Sequence, residues 1–229
     1  MRCLCLLSIL ALGCKVSFGQ SNVKTVTLNK GEAFDILLLS QNPDTQEQLK
    51  SYFEVAVSVA SRMTYQPIPG FKVIGHTDGN IRPNLLILGK WASIDKREEF
   101  LAEIINEVPD FHERRRDIWS YFGHRYFEVK EDYSFDIDRN KYHAANAFWL
   151  KSDTDPSGYY DQWLSKVESN GGRALIMLKD GKSPYGYQYN PDLFVITSWE
   201  SETDFNAYQQ KTKLANTKGL EHINEFILK

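Results

Sequence analysis

At 229 residues, with 42% hydrophobic and 13% aromatic content, the chain can bury a sizeable core, and long disorder is excluded. Its 27 basic and 30 acidic residues nearly balance. The longest basic run is Arg114–Arg116, followed at once by Asp117, so a nucleic-acid-binding face is excluded.

The chain starts with Arg2, an apolar run from Cys3 to Leu12, then small residues at Ser17 and Gly19. This is the order of a secretory leader, and its apolar run is too short to span a bilayer. Residues 1–19 are therefore expected to be a signal peptide, with Gln20 first after cleavage. The expected location is secreted or periplasmic. Ala11-Leu12-Gly13-Cys14 also loosely resembles a lipoprotein cleavage box, which would put lipid on Cys14 and tie the protein to a membrane. A third reading makes the run a buried strand or helix.

All three cysteines (Cys3, Cys5, Cys14) fall in the leader, so the body offers neither a disulfide framework nor a thiolate metal site. Losing Arg2 and Lys15 with it leaves 25 basic against 30 acidic residues. No Asn-x-Ser/Thr acceptor occurs, which suits a bacterial exported protein.

Phe34–Ser40 reads as a strand, broken by Gln41-Asn42-Pro43-Asp44. From Gln46 to Met63, Leu49, Tyr52, Phe53, Ala56, Val57 and Ala60 recur at helical spacing. Pro67, Pro69 and Gly70 end this helix. Strand Phe71–Thr77, a turn at Asp78-Gly79-Asn80 and strand Leu85–Trp91 follow. Ser93 or Asp95 caps the next helix, which starts near Lys96. Pro109 divides that helix from a further helical segment, Phe111–Phe122. Gly123 stops it, and His124–Val129 closes the set as a strand. Lys130–Asn140 reads as a polar linker.

The order then repeats: strand Tyr142–Leu150, helix Tyr159–Ser169, strand Ala174–Leu178, strand Leu193–Trp199, helix Glu202–Lys213 and strand His222–Leu228. One sequence signature recurs with it. Leu85–Trp91 runs through Ala92-Ser93 into an acid-led helix, and Leu193–Trp199 runs through Glu200-Ser201 into another. The two tryptophans lie 108 residues apart.

Two βαββαβ units, residues 20–133 and 134–229, imply two antiparallel sheets, each with helices on one face. Their bare faces are most economically buried against each other. With the repeated strand–Trp-x-Ser–helix and this topology, the chain resembles the dimeric α/β-barrel superfamily, which includes antibiotic-biosynthesis monooxygenase-like and other ferredoxin-like proteins. The resemblance implies an α+β fold whose two ferredoxin-like repeats form an intramolecular barrel. Activity it leaves open, because that superfamily spans oxygenases, isomerases, haem enzymes and proteins of no known activity.

In such a barrel the sheet face away from the helices lines a cavity. The strand parities put Phe127, Val129, Ala145 and Ala147 on the helix side and His124, Tyr126, Glu128, Tyr142, Asn146 and Phe148 inward. His124 is then the candidate general base and Tyr126 the candidate donor. Tyr142, Asn146 and Phe148 become ligand-binding candidates, for a flat aromatic or sugar-like molecule. The same tyrosines also suit ordinary half-buried strand positions. Trp91 and Trp199 either wall the cavity or plug the core where strand meets helix.

The loop Lys182–Pro191 spaces Tyr185, Tyr187 and Tyr189 among Gly and Pro. It reads as a lid or sugar platform presenting Tyr187, or as a long connection that tucks its aromatics down. The five histidines show neither an i, i+4 pair nor His-x-His, so no metal site is expected. No cofactor is expected either; haem needs only one histidine, and none is singled out. Where relatives hold phenolic substrates with polar groups before the tryptophan, this chain has Leu85, Ile87, Leu193 and Val195. Two functions follow: an exported small-molecule-binding protein, monomer or homodimer, of cofactor-independent oxygenase or isomerase type; or a non-catalytic exported binding or assembly protein.

Overall fold

A computed structural model describes residues 22–184 and 189–229; the leader and Tyr187 lie outside them. The first strand, β1 (Val23–Leu28), precedes every element expected from sequence. Next come β2 (Ala33–Gln41), α1 (Gln46–Arg62), β3 (Gln66–Asp78) and β4 (Leu85–Trp91). Helix α2 (Ile94–Glu107) starts at Ser93, whose hydroxyl accepts from the Lys96 N–H. That bond satisfies one of the N–H groups a helix start leaves unpaired. Helix α3 (Phe111–Ile118) stops at Ile118, and β5 (Trp119–Glu128) takes up the last four residues of the expected helix. Trp119 to Phe122 are therefore strand, because their backbone pairs with the end of β2.

The expected linker also holds a strand. β6 (Tyr133–Asp138) buries Phe135 and Ile137 and exposes Ser134 and Asp136, the period-two pattern of a one-sided strand. It pairs antiparallel with β1, whose Val26 and Leu28 are buried. The remaining elements are β7 (Tyr142–Leu150), α4 (Pro156–Ser169), β8 (Arg173–Lys179), β9 (Leu193–Trp199), α5 (Glu202–Asn216) and β10 (Leu220–Leu228). Ser201 caps α5 as Ser93 caps α2.

Eight strands form one antiparallel sheet in the order β5-β2-β4-β3-β10-β7-β9-β8. Within each half the order is fourth, first, third, second strand of a βαββαβ unit, which is the ferredoxin-like arrangement. The two four-strand sheets are joined edge to edge where β3 pairs with β10. Their helix-free faces meet in one core: Phe34, Ile36, Leu86, Leu88 and Phe127 from the first unit lie with Ala145, Ala147, Phe194, Ile196 and Phe226 from the second. The β1–β6 ribbon adds Val26, Leu28, Phe135 and Ile137 to that core. Two further cores lie between sheet and helices, one in each unit.

An approximate twofold relation would match the β3–β10 junction with a β8–β5 junction. There, among the described residues, the backbone pairing is a single bridge: Tyr126 and Lys182 exchange both N–H···O bonds at 2.9 Å. Strand β3 is thirteen residues long and reaches β4 with one end and β10 with the other. Strand β8 has seven residues, all spent along β9. The short strand leaves this seam nearly unzipped.

Both expected strand parities are inverted in the structure. Phe127, Val129, Ala145 and Ala147 face the core between the two units, while His124, Tyr126, Tyr142, Asn146 and Phe148 face helices. The physical reason is that both sheet faces are buried, so neither shows the polar alternation that would fix the register. Small Ala145 and Ala147 suit the close approach of two sheets, not the helix side.

Candidate functional site

In the apolar run Ala33–Leu39 of β2 the one polar residue is Asp35, which faces α2 from the sheet and is only 3% exposed. Four residues after the cap Ser93, Arg97 points back at it from the first turns of α2. Arg97 Nε donates to Asp35 Oδ1 at 2.9 Å, and Trp91 Nε1 donates to Oδ2 at 2.9 Å. On β5, one strand over, His124 lies with Nδ1 and Nε2 at 2.9 and 2.7 Å from Arg97 Nη2. Its Nε2 is 3.4 Å from Asp35 Oδ2. The guanidinium is framed by the rings of Trp91, Phe100 and Tyr126 at 5.2 to 5.8 Å.

Burial alone would raise the Asp35 carboxyl, but the Arg97 charge and its hydrogen-bonded neighbours outweigh this and hold it below the usual carboxylate range. Burial and the Arg97 charge together push His124 down to about 4. The ring is therefore neutral near pH 7, and Asp35 balances Arg97. The Tyr126 phenol is pushed up to about 12 by burial and by its 3.0 Å hydrogen bond to Glu98.

Asp35, Trp91, Arg97 and His124 line one end of a chamber of about 70 Å³ between the sheet and helices α1, α2 and α3. Leu37, Leu39, Tyr52, Phe53, Ala56 and Trp119 wall the rest. An outer cleft of about 510 Å³ shares Arg115, Trp119, Phe122 and His124 with the chamber and adds His112, Arg116 and Pro184. Arg115 is held at the boundary: its Nε donates to Tyr52 Oη at 2.8 Å, and its guanidinium sits 4.2 and 4.4 Å from the Phe111 and Phe122 ring centroids. Arg97 Nη1 and Trp119 Nε1 are buried with no hydrogen-bond partner among the described residues.

Of the sequence candidates, His124, Tyr126 and Trp91 come together here. Tyr142, Asn146, Phe148 and Trp199 lie in the second unit, between its sheet and helices. The pairing registers align the units, since Ala33 opposes Trp91 as Tyr142 opposes Trp199. Asp35 then corresponds to Ala144, Tyr126 to Ile227 and His124 to Glu225, while Arg97 corresponds to Phe205. That space is filled by aromatic packing: Phe148 on Trp163, Tyr142 on Phe205, and Trp199 on Phe205 and Tyr208. Asn146, Gln209 and Thr77 each donate to the buried Glu225 carboxylate. Trp199 Nε1 donates to Thr197 at 3.0 Å, where Trp91 has a carboxylate.

Asp35, Arg97 and Trp119 were not singled out by sequence. For Asp35 the signal was present: one carboxylate inside the apolar run Phe34–Leu39. Of the loop tyrosines, Tyr189 is 62% exposed, and Tyr187 falls outside the described residues.

Haem does not fit beside His124, because the chamber there is only about 70 Å³. Among the described residues no group of three or more His, Cys, Asp or Glu could hold a metal ion, and no helix is long and apolar enough to cross a membrane.

The fold is a ferredoxin-like α+β fold, with both βαββαβ units in one chain. Solved structures similar to it include an anthrone oxidase-like protein, 18% identical, with a TM-score of 0.51 over 90% of this chain and 94% of that one. A mutant chlorite dismutase from Candidatus Nitrospira defluvii matches with 8% identity and a TM-score of 0.55 over 88% and 93%. At these identities the likeness is one of fold. No family model and no curated protein matches the sequence.

Proposed function

We propose that the protein binds a small molecule in the chamber of its first unit and acts on it as a cofactor-independent oxygenase or isomerase. The observation that carries this reading is the asymmetry between the units. One holds a buried Asp35–Arg97–His124 cluster opening on a chamber, where the other is packed with aromatic side chains. Buried charge of this kind is costly to keep for stability alone. Both reaction types can begin by removing a proton from an activated C–H or O–H group. His124 is the base in this reading: its ring is neutral, it lines both chamber and cleft, and Asp35 steadies the imidazolium that forms. Tyr126 frames Arg97 and holds no direct bond to His124.

The test is oxygen uptake with anthrone, the reduced aromatic ketone that the name of one similar structure suggests. The wild-type protein should consume oxygen, and His124→Gln should lower the rate by about a hundredfold with its fold intact. No uptake with anthrone, together with no melting shift across a set of phenols, overturns the reading.

A non-catalytic binding protein is the second reading. It is favoured by how closed the cluster is, with Asp35, Arg97 and His124 each no more than 3% exposed. Saturable binding in the chamber without turnover would support it. We also propose export to the periplasm or medium, as the leader-like N-terminus suggests; mass spectrometry of the exported protein should find Gln20 at its start.

A further inference from the structure

We infer that the ligand of this chamber is a flat, largely apolar organic anion, whose oxygens accept from Arg97 Nη1 and Trp119 Nε1. The inference rests on the chamber being a binding site, and it names the chemical class the site takes. Two buried donors lack partners, and both line the chamber: Arg97 beside Asp35 and His124, Trp119 where chamber meets cleft. A buried N–H without an acceptor costs its full desolvation, so an occupant bearing acceptors is favoured at both places.

Charge decides which acceptors. The one carboxylate in the chamber, Asp35, already accepts from Arg97 and Trp91. Beyond it the route to solvent carries Arg115, Arg116 and His112 and, among the described residues, no acidic lining residue. Arg115 is fixed there by Tyr52 and two aromatic rings, so its charge is pre-positioned and does not swing into solvent. The field is evident at His112, which burial and the two neighbouring arginines push below its ordinary value. A cationic mouth before a low-dielectric chamber concentrates anions and disfavours cations.

Size sets the shape. A chamber of about 70 Å³ admits only part of a substituted ring, so the ligand extends into the 510 Å³ cleft. There Trp119 and Phe122 offer flat apolar walls. An aryl carboxylate or phenolate meets all three demands.

The test compares 4-hydroxybenzoate with 4-hydroxybenzamide, its neutral isostere, by calorimetric titration of the whole protein. Fluorine NMR of 5-fluorotryptophan protein reports which tryptophan senses each. The anion should bind about tenfold tighter than the amide, with an affinity that falls as salt rises. Trp119→Phe keeps the ring and removes the donor, and should weaken the anion by about tenfold. Arg116→Gln, an exposed change at the rim, should reduce the salt dependence. Equal affinity for the two probes, with the Trp119 resonance shifted by both, overturns the anion inference and leaves the chamber reading standing. If neither probe shifts Trp91 or Trp119, both fall.

Discussion

Arg97 Nε and Asp35 Oδ1 meet at 2.9 Å in a site where neither side chain is more than 4% exposed. Helix α2 reaches the sheet through this pair. Removing one partner leaves a buried charge unmatched, and Asp35→Leu or Arg97→Met should each cost about 3–5 kcal/mol. The double variant Asp35→Leu with Arg97→Met should recover most of that loss. Urea unfolding of the four proteins checks it; additive losses would mean the two groups are not coupled.

The paired tryptophans give a second comparison. Trp91→Phe deletes a hydrogen bond to a carboxylate, and Trp199→Phe one to a hydroxyl. Bonds to charged acceptors contribute about 1.5–3 kcal/mol, neutral ones about 1 kcal/mol. Both variants lose similar ring contacts, so Trp91→Phe should be the less stable by about 1 kcal/mol. Thermal unfolding of the pair decides this.

Stability should fall on acidification between pH 6.5 and 4. Burial and nearby arginines push both His124 and His143 down to about 4 in the folded chain, against about 6.5 unfolded. Between those values the unfolded state binds more protons, so stability rises with pH there and is fully present above 6.5. Each histidine adds at most about 1.4 kcal/mol per pH unit in that window. His143→Leu should remove one such contribution, because the ring lies buried against Phe71. The slope from urea midpoints across this range measures it; an unchanged slope would refute the assignment.

The seam between β5 and β8 should be a weak point of the sheet. Lys182→Pro removes the N–H that donates to the Tyr126 carbonyl at 2.9 Å. The expected loss is about 1 kcal/mol, with faster amide exchange at Tyr126. The paired junction at β3–β10 should stay protected, and hydrogen exchange by residue separates the two.

Much of the architecture follows from the sequence alone. The apolar runs, the 3.6-residue spacing in α1 and the breakers at Pro43 and Gly79 place most elements, although Pro67, Pro69 and Gly70 lie inside β3, and Trp-x-Ser marks two helix starts whose serines do cap α2 and α5. These are local effects, carried by residues a few positions apart. β1 and β6 are missing from that reading because each is a short strand whose pairing partner is the other, more than a hundred residues away.

The site was legible in its members and not in its assembly. His124, Tyr126 and Trp91 were chosen from their own strands, yet His124 and Tyr126 were assigned to the wrong face, since in a sheet buried on both sides hydrophobicity carries no sign; Trp91 packs where strand meets helix, one of its two expected places. The tertiary structure alone decided that Asp35, from an apolar strand, and Arg97, from an ordinary amphipathic helix, would neutralise each other beside His124. Pair energies in a low-dielectric interior depend on distance through space, which sequence separation does not encode. The elements were fixed by periodicity; which unit keeps a charged chamber and which packs itself shut was fixed by what the folded chain brings within hydrogen-bond reach.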